Sequence, residues 1–204
     1  MKRFLLLLVF LSQLVFADDS YLIDDSLAMA RQGEFVRASN LIVDLANNGD
    51  STAQYVLSMY FRDPNALNIP EVGEMWLMRA AENNNAKAQY DLGWRLAAGW
   101  KNDTVEDIVE MIYWFERATF NGSDDAYANL ATLYENENRD VLAEMEVAAN
   151  DGNAMAQFNL GWINARGLMS SEGLMQDMDV AKAWFEKSAK LGFKDAVEVL
   201  QNNF

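Results

Sequence analysis

The side chains that could do chemistry in this sequence are mainly carboxylates. Acidic residues stand close together at several places, such as Asp24 with Asp25, Asp124 with Asp125, and Asp177 with Asp179. Such pairs could bind Ca²⁺ or share acid–base work. None has the spacing of a calcium-binding loop, and Asp124 and Asp125 stand where the start of a helix favours negative charge. We therefore predict no catalytic residue and no metal site.

The composition removes most other catalytic systems. The 204 residues include no histidine and no cysteine, so neither a Ser-His-Asp nor a Cys-His system can be built. Ser-x-x-Lys and glycine-rich phosphate loops are also absent from the sequence. Without cysteine the chain forms no disulfide, uses no thiol and carries no lipoprotein anchor. We expect a protein that is not an enzyme and has no cofactor.

The first 17 residues have the pattern of a secretory signal peptide. Lys2 and Arg3 precede an apolar run over residues 4–11, and Val15 and Ala17 stand where a signal peptidase prefers small residues. The run is shorter than the roughly 20 residues that a membrane-spanning helix needs, although an uncleaved anchor is the alternative. The pattern predicts cleavage after residue 17 and a mature domain over 18–204. The mature protein is expected to be soluble and periplasmic, without stable membrane insertion.

The charge balance of the chain is strongly acidic. It has 31 acidic and 16 basic residues, and loss of Lys2 and Arg3 would leave 14 basic residues. Such a chain should repel nucleic acid and anionic lipid, and it should attract a basic protein partner. The alternative is that the charge only keeps an exported protein soluble.

The residues above are positioned by an internal repeat. Residues 80–94 (AAENNNAKAQYDLGW) and 148–162 (AANDGNAMAQFNLGW) agree at nine of fifteen positions. A small residue, a glycine or asparagine, an alanine and a leucine recur in five copies: Ala46, Gly49, Ala53, Leu57; Ala81, Asn84, Ala88, Leu92; Thr119, Gly122, Ala126, Leu130; Ala149, Gly152, Ala156, Leu160; Ala189, Gly192, Ala196, Leu200. The anchoring alanines are 30 to 40 residues apart. Periods in this range are typical of stacked helix pairs that share one core.

Each anchor has a physical reason. Glycine tolerates the left-handed backbone that a sharp helix–helix turn requires, and asparagine is the next most tolerant residue. The alanine and leucine four positions apart share one face of the following helix. Eight residues before the turn, three helices carry a tryptophan that we expect in the core: Trp76, Trp114 and Trp184. The fourth pair has Glu144 at this position instead.

The apolar periodicity predicts an all-α array of five helix pairs and a closing helix. The expected helices cover residues 22–32, 34–48, 51–62, 71–83, 86–98, 105–120, 124–136, 139–150, 154–166, 178–190 and 193–202.

Three segments carry a resemblance to a known family. Residues 92–99 (LGWRLAAG), 160–167 (LGWINARG) and 181–192 (AKAWFEKSAKLG) resemble the Sel1-like repeat, a tetratricopeptide-like helical repeat. The resemblance covers about residues 34–204, with departures: Leu130 is followed by Ala131 rather than glycine, and Leu96 and Asn164 fill the family's tyrosine position. It implies a right-handed α-solenoid that binds other proteins.

The resemblance also implies where a partner would bind. In such arrays the first helix of each pair lines the concave groove, at positions that correspond here to Met59, Trp94, Thr132 and Trp162. The two tryptophans would serve as aromatic anchors, unless both pack on the neighbouring repeat. A second candidate is the connection over residues 167–179, which carries apolar side chains at Leu168, Met169, Leu174, Met175 and Met178. These side chains would contact a partner, or the connection would fold over the last pair.

The expected function is that of an exported adaptor or regulator in the bacterial cell envelope. The alternative is a periplasmic immunity protein that binds and neutralises a secreted, type VI-like toxic effector. Small size, export and acidity favour this alternative, but the fold does not choose between the two.

Overall fold

The structure is a computed structural model that describes residues 20–98, 104–134, 140–167 and 176–204. Within these ranges it contains eleven α-helices and no strand: α1 (Ser20–Arg31), α2 (Phe35–Asn47), α3 (Ser51–Arg62), α4 (Pro70–Glu82), α5 (Ala86–Ala97), α6 (Val105–Phe120), α7 (Asp124–Tyr134), α8 (Val141–Asn150), α9 (Ala154–Arg166), α10 (Met178–Lys190) and α11 (Lys194–Asn203). The predicted all-α class is confirmed. The predicted helix limits that fall on described residues agree within two residues, whereas the predicted end at residue 136 and start at residue 139 lie outside the described residues. The predicted signal peptide lies outside the described residues, as do Leu168, Met169, Leu174 and Met175.

The chain divides into two compact units, and each has its own core. The first unit ends at Asn85 and contains α1 to α4. Its core is built from small and large residues of α2, α3 and α4, including Ala38, Ile42, Leu57 and Trp76. The Ser26 hydroxyl of α1 donates to the Ala38 carbonyl at 2.9 Å. The first helix is thus joined to the second by a buried hydrogen bond as well as by apolar packing.

The second unit begins at Ala86 and contains α5 to α11. Its core runs from α6 through α8 to α9, with Ile112, Leu130, Met145, Leu160 and Ile163 all buried. Tyr90 of α5 and Trp184 of α10 are partly buried against this core. Successive helices therefore contribute side chains to one shared core, as expected when each helix pair is covered by its neighbours.

The tight turns between helices use the residues that recur in the sequence. Gly49, Gly122, Gly152 and Gly192 have φ between 86° and 98°, and Asn84 has φ 64°. This left-handed backbone is the conformation that glycine and asparagine adopt most readily. The recurring glycine or asparagine therefore follows from the backbone that each turn requires.

Two further glycines lie inside helices and allow close packing. A Cβ atom on Gly93 of α5 would lie 2.7 Å from the ring of Phe115, and one on Gly161 of α9 would lie 2.5 Å from the ring of Phe185. Both rings are almost fully buried. The Leu-Gly pair of these repeats therefore lets a phenylalanine ring of the next helix lie directly against the backbone.

Candidate functional site

The four groove positions predicted from the sequence occupy different environments. Trp94 and Thr132 line one pocket in the second unit, on α5 and α7. Trp162 of α9 is partly buried and lies in an aromatic cluster. Met59 is on α3 of the first unit, with about a third of its surface exposed. We therefore take the pocket shared by Trp94 and Thr132 as the candidate binding site.

The Trp94 pocket has a volume of about 200 Å³ and an apolar floor. The floor consists of Met111, Phe115 and Leu133, all of which are buried in the core of the second unit. Asn129 and Thr132 add polar groups on the α7 side. Pockets for small-molecule ligands are usually larger, roughly 300–1,000 Å³. The Trp94 pocket is smaller than this range.

The aromatic wall of the pocket is held by contacts between consecutive turns of α5. Trp94 and Tyr90 are four residues apart, so their side chains share a face. The two rings are nearly parallel, with an interplanar angle of 10° and centroids 6.4 Å apart. Tyr90 in turn packs on Phe115 at 5.9 Å, and its hydroxyl accepts from Asn129 Nδ2 at 3.4 Å. Trp94 is thereby oriented, although 55% of its surface remains exposed.

Trp162 occupies the matching position of α9 but has more neighbours. Its ring lies 5.3 Å from Phe120 and 5.5 Å from Phe185, measured between centroids. The Arg166 guanidinium lies 5.0 Å from the ring centroid. These contacts indicate that Trp162 contributes to packing within the second unit, in contrast to the half-exposed Trp94.

A buried ion pair lies beneath this region. The Glu116 carboxylate is completely buried and accepts a hydrogen bond from the Arg166 guanidinium. Burial raises the pKa of Glu116 to about 7, while Arg166 and then the Tyr134 hydroxyl oppose the rise. The second carboxylate oxygen, Oε1, has no hydrogen-bond partner of standard geometry among the described residues. The ion pair joins α6 to α9 through a carboxylate that has no exposed surface.

A second polar cluster joins α6 to α11. Tyr113 donates to Asp195 Oδ2 at 2.9 Å, and Arg117 Nη1 lies 3.0 Å from the same oxygen. Burial raises the pKa of Tyr113 to about 12, against the lowering effect of Arg117. The phenol therefore stays protonated at neutral pH and acts as a hydrogen-bond donor between helices.

The tryptophans predicted as repeat anchors differ in burial. Trp76 and Trp114 are buried, whereas Trp184 is partly buried against the core of the second unit. Met178, the described methionine of the second predicted contact site, is the first residue of α10 and is exposed. The Asp177 carboxylate caps this helix by accepting from the amides of Asp179 and Val180 at 3.1 and 2.9 Å.

The comparisons with known proteins agree with the helical repeat pattern. Residues 86–119 and 154–193 match the family model of the Sel1 repeat. These two segments contain the pairs α5–α6 and α9–α10, on either side of the irregular pair α7–α8. No curated protein matches the chain. In the described part of the chain, no helix has the length and apolar character needed to cross a membrane.

Two solved structures are similar to this chain. One is a Sel1 repeat protein from Oxalobacter formigenes, with 23% identity, coverage of 85% of this chain and 73% of that one, and a TM-score of 0.49. The other is a protective antigen of uropathogenic Escherichia coli with an SLR fold, at 25% identity and a TM-score of 0.45. The match to the second covers 89% of this chain and 40% of the antigen.

Proposed function

We propose that this chain, which is a Sel1-like repeat protein, acts as a non-enzymatic scaffold and binds another protein in the bacterial cell envelope. Sel1 repeat proteins are generally scaffolds for protein–protein interaction. The observation that carries the proposal is the Trp94 pocket, in which a half-exposed tryptophan stands beside an apolar floor. Tryptophan is among the residues most often found at binding hot spots.

The expected mode of binding is insertion of an apolar side chain of the partner beside the Trp94 ring. The stacked Tyr90 fixes the tryptophan before binding, so little rotamer freedom is lost on association. Asn129 and Thr132 stand at the same pocket and would provide hydrogen bonds that orient the partner's backbone. The function within the envelope would be that of an adaptor or regulator.

Affinity capture with matched variants tests this proposal. The protein, tagged at its C-terminus, is used to capture partners from source cells, and bound proteins are quantified by mass spectrometry. We expect Trp94→Ala to reduce capture of the partner by about 10-fold or more, as for hot-spot residues. Tyr127→Ala removes another exposed aromatic residue from the same unit, outside the pocket. It should leave capture unchanged.

The identity of the captured protein separates the two roles. Several proteins of one envelope assembly would support the adaptor, whereas one basic toxic protein in equal amount would support the immunity protein. Equal capture by the wild type and Trp94→Ala, with both folded, would contradict the proposed site.

Export is a separate part of the proposal and has its own test. The motivating feature is the basic, apolar and small-residue pattern over residues 1–17. We expect the protein recovered from the periplasmic fraction to begin at Asp18, which intact mass measures directly. A cytoplasmic protein that keeps its first 17 residues would contradict export.

A further inference from the structure

Four of the five tryptophans in the described residues have a cation from their own helix over the ring. The cation lies 5.9 Å or less from the ring centroid in each case: Arg79 over Trp76, Arg117 over Trp114, Arg166 over Trp162 and Lys187 over Trp184. Each cation stands three or four residues after its tryptophan, so the two side chains share a face. Trp94 is the exception, because no cation lies over its ring within the described ranges.

The exception has a visible cause in the repeat. Trp94 and Trp162 occupy the same position of two similar strings. Four residues after Trp162 comes Arg166, whereas four residues after Trp94 comes Ala98. The third residue after Trp94 is Ala97, which lines the Trp94 pocket. Both positions that could place a cation over this ring therefore hold alanine, and 55% of the surface of Trp94 stays exposed.

The polar groups beside Trp94 can accept hydrogen bonds. Thr132 donates its hydroxyl hydrogen to a carbonyl of its own helix at 3.0 Å, which leaves the lone pairs of its oxygen as acceptors. Asn129 donates from its amide nitrogen to the Tyr90 hydroxyl and keeps Oδ1 as an acceptor. Asp125 is exposed and stands four residues before Asn129, so it lies on the same face of α7. Such acceptors suit the side chains of lysine and arginine, which only donate.

We propose that Trp94 receives its cation from the partner, as an arginine or lysine side chain that lies over the exposed indole face where Ala97 and Ala98 leave room. This inference rests on the proposed function and names the chemistry that the pocket recognises. A cation over a tryptophan ring is a favourable contact, and it is most often an arginine. The chain's net charge of −15 would also speed association with a basic segment. The recognised motif is therefore an apolar residue with an arginine or lysine close to it.

A peptide titration of the ¹⁵N-labelled full chain tests the proposal through the indole Nε1–H signal of Trp94. The signal is assigned by its loss in Trp94→Phe. The probe is the peptide acetyl-Gly-Ser-Leu-Ala-Arg-Ser-Gly-amide, and its control carries citrulline, which has the shape of arginine without the charge. The buffer contains about 150 mM NaCl, so that long-range attraction is screened to about 8 Å. We expect the arginine peptide to shift the Trp94 signal and to bind about 5-fold more tightly than the citrulline peptide.

Two variants at one position make the test specific. Ala98→Arg gives α5 the cation that α9 carries at this position, and the exposed site should accept it without loss of folding. Its guanidinium should cover the Trp94 ring and weaken the arginine peptide to the level of the citrulline peptide. Ala98→Gln adds a similar stem without charge and should change binding less than two-fold. The indole signal of Trp162, whose ring already has a cation, should not shift.

Several outcomes would overturn the proposal. Equal affinity for the arginine and citrulline peptides would show that charge does not select the ligand. Wild-type affinity in Ala98→Arg would show that the cation does not use the Trp94 ring. Equal shifts of the Trp94 and Trp162 signals would show a general attraction to an acidic chain, and no shift at millimolar peptide would show no site. If Ala98→Arg does not fold, the two peptides on the wild-type chain decide.

Affinity capture separates this inference from the proposed function. If Trp94→Ala captures the partner as well as the wild type does, the proposed binding site is wrong. If Trp94→Ala loses the partner and Ala98→Arg keeps it, the site is right and the inferred cation is wrong. Loss of the partner in both variants, with capture retained in Ala98→Gln, is the result expected.

Discussion

At the scale of single residues, a buried glutamine recurs directly after the anchoring alanine in three repeats. Gln54 Oε1 accepts from Asn83 Nδ2 at 2.9 Å, and Gln89 Oε1 accepts from Asn121 Nδ2 at 2.9 Å. Each asparagine is the C-cap of the next helix. In the third of these repeats, Gln157 Oε1 is buried and has no partner among the described residues. The C-cap of the next helix, at the position of the two asparagines, is Leu191, whose side chain has no hydrogen-bond donor.

We predict that Leu191→Asn stabilises the protein. Leu191 has φ −85° and ψ 2°, close to the values of Asn83 and Asn121, so an asparagine amide would start from the same backbone position. The leucine is 56% exposed, and its removal should cost little. Pairing the buried oxygen should raise the free energy of unfolding by about 1 kcal/mol, which urea denaturation measures.

Leu191→Asp is the matched control for this prediction. Aspartate has nearly the shape of asparagine, but its ionised carboxylate cannot donate to Gln157 Oε1. We therefore expect no gain from this variant. An equal stabilisation by aspartate and asparagine would show that the effect comes from removing an exposed leucine.

The buried Glu116 predicts a pH dependence of stability. Its folded pKa of about 7 lies above the ordinary value of 4.5, because burial disfavours the charged form. Between these values the folded state keeps a proton that the unfolded state has released, so stability decreases as the pH rises. The contribution of Glu116 to the free energy of unfolding is complete below about pH 4.5 and is lost by about pH 7. Its magnitude is on the order of 3 kcal/mol.

Glu116→Gln should remove this contribution, since glutamine does not ionise. The free energy of unfolding is measured in urea at pH 5 and pH 8. Between these pH values we expect it to fall further in the wild type than in Glu116→Gln. Glu198→Gln, at an exposed position of α11, should behave as the wild type does. The same pH response in the wild type and Glu116→Gln would contradict a raised pKa.

At the scale of helices, a residue without a side chain in one helix faces a large ring in the next helix. Gly93 and Gly161 face Phe115 and Phe185, with almost no space for a methyl group. In α7 the same register holds Ala131, and the position that corresponds to Phe115 holds Met145, a more flexible side chain. Glycine in these helices is thus a packing requirement rather than a turn signal.

We predict that Gly161→Ala destabilises the protein by up to about 2 kcal/mol. Alanine favours the helix by roughly 1 kcal/mol, but overpacking against the buried Phe185 ring costs typically 1–3 kcal/mol and should dominate. The effect is measured by urea denaturation. In the Phe185→Leu background the penalty should become smaller, because a leucine leaves room for the added methyl group. An equal penalty in both backgrounds would place the cause elsewhere.

The helices were predictable because turn residues and apolar periodicity are local signals. The turns at Gly49, Gly122, Gly152, Gly192 and Asn84 fix where the helices end, and each shows the left-handed backbone that its residue type favours. The candidate site was only partly predictable, since Trp94 and Trp162 stand at equivalent positions of similar strings. Their difference in exposure depends on Phe120, Phe158 and Phe185, which surround Trp162 from other turns and helices. Such neighbours are set by tertiary packing, which one repeat cannot reveal.

At the scale of the whole molecule, each unit has a core made from its own residues. The buried core of the second unit extends from Ile108 to Ile163, and the partly buried residues around it begin at Tyr90. The core of the first unit ends at Trp76. Because cooperative folding requires a closed core rather than the complete chain, the second unit meets the main condition for folding alone.

We therefore predict that residues 86–204 fold as an isolated fragment, with a helical circular-dichroism spectrum and a single cooperative melting transition. The fragment retains α5, whose Gly93 and Tyr90 pack on the Phe115 ring. A shorter fragment over residues 104–204 lacks α5 and would expose that ring to water. It should melt with lower cooperativity and bind the dye ANS, as loosely packed states do. If residues 86–204 alone bind ANS and melt without a transition, the second core is not self-sufficient. If both fragments melt alike, α5 does not close it.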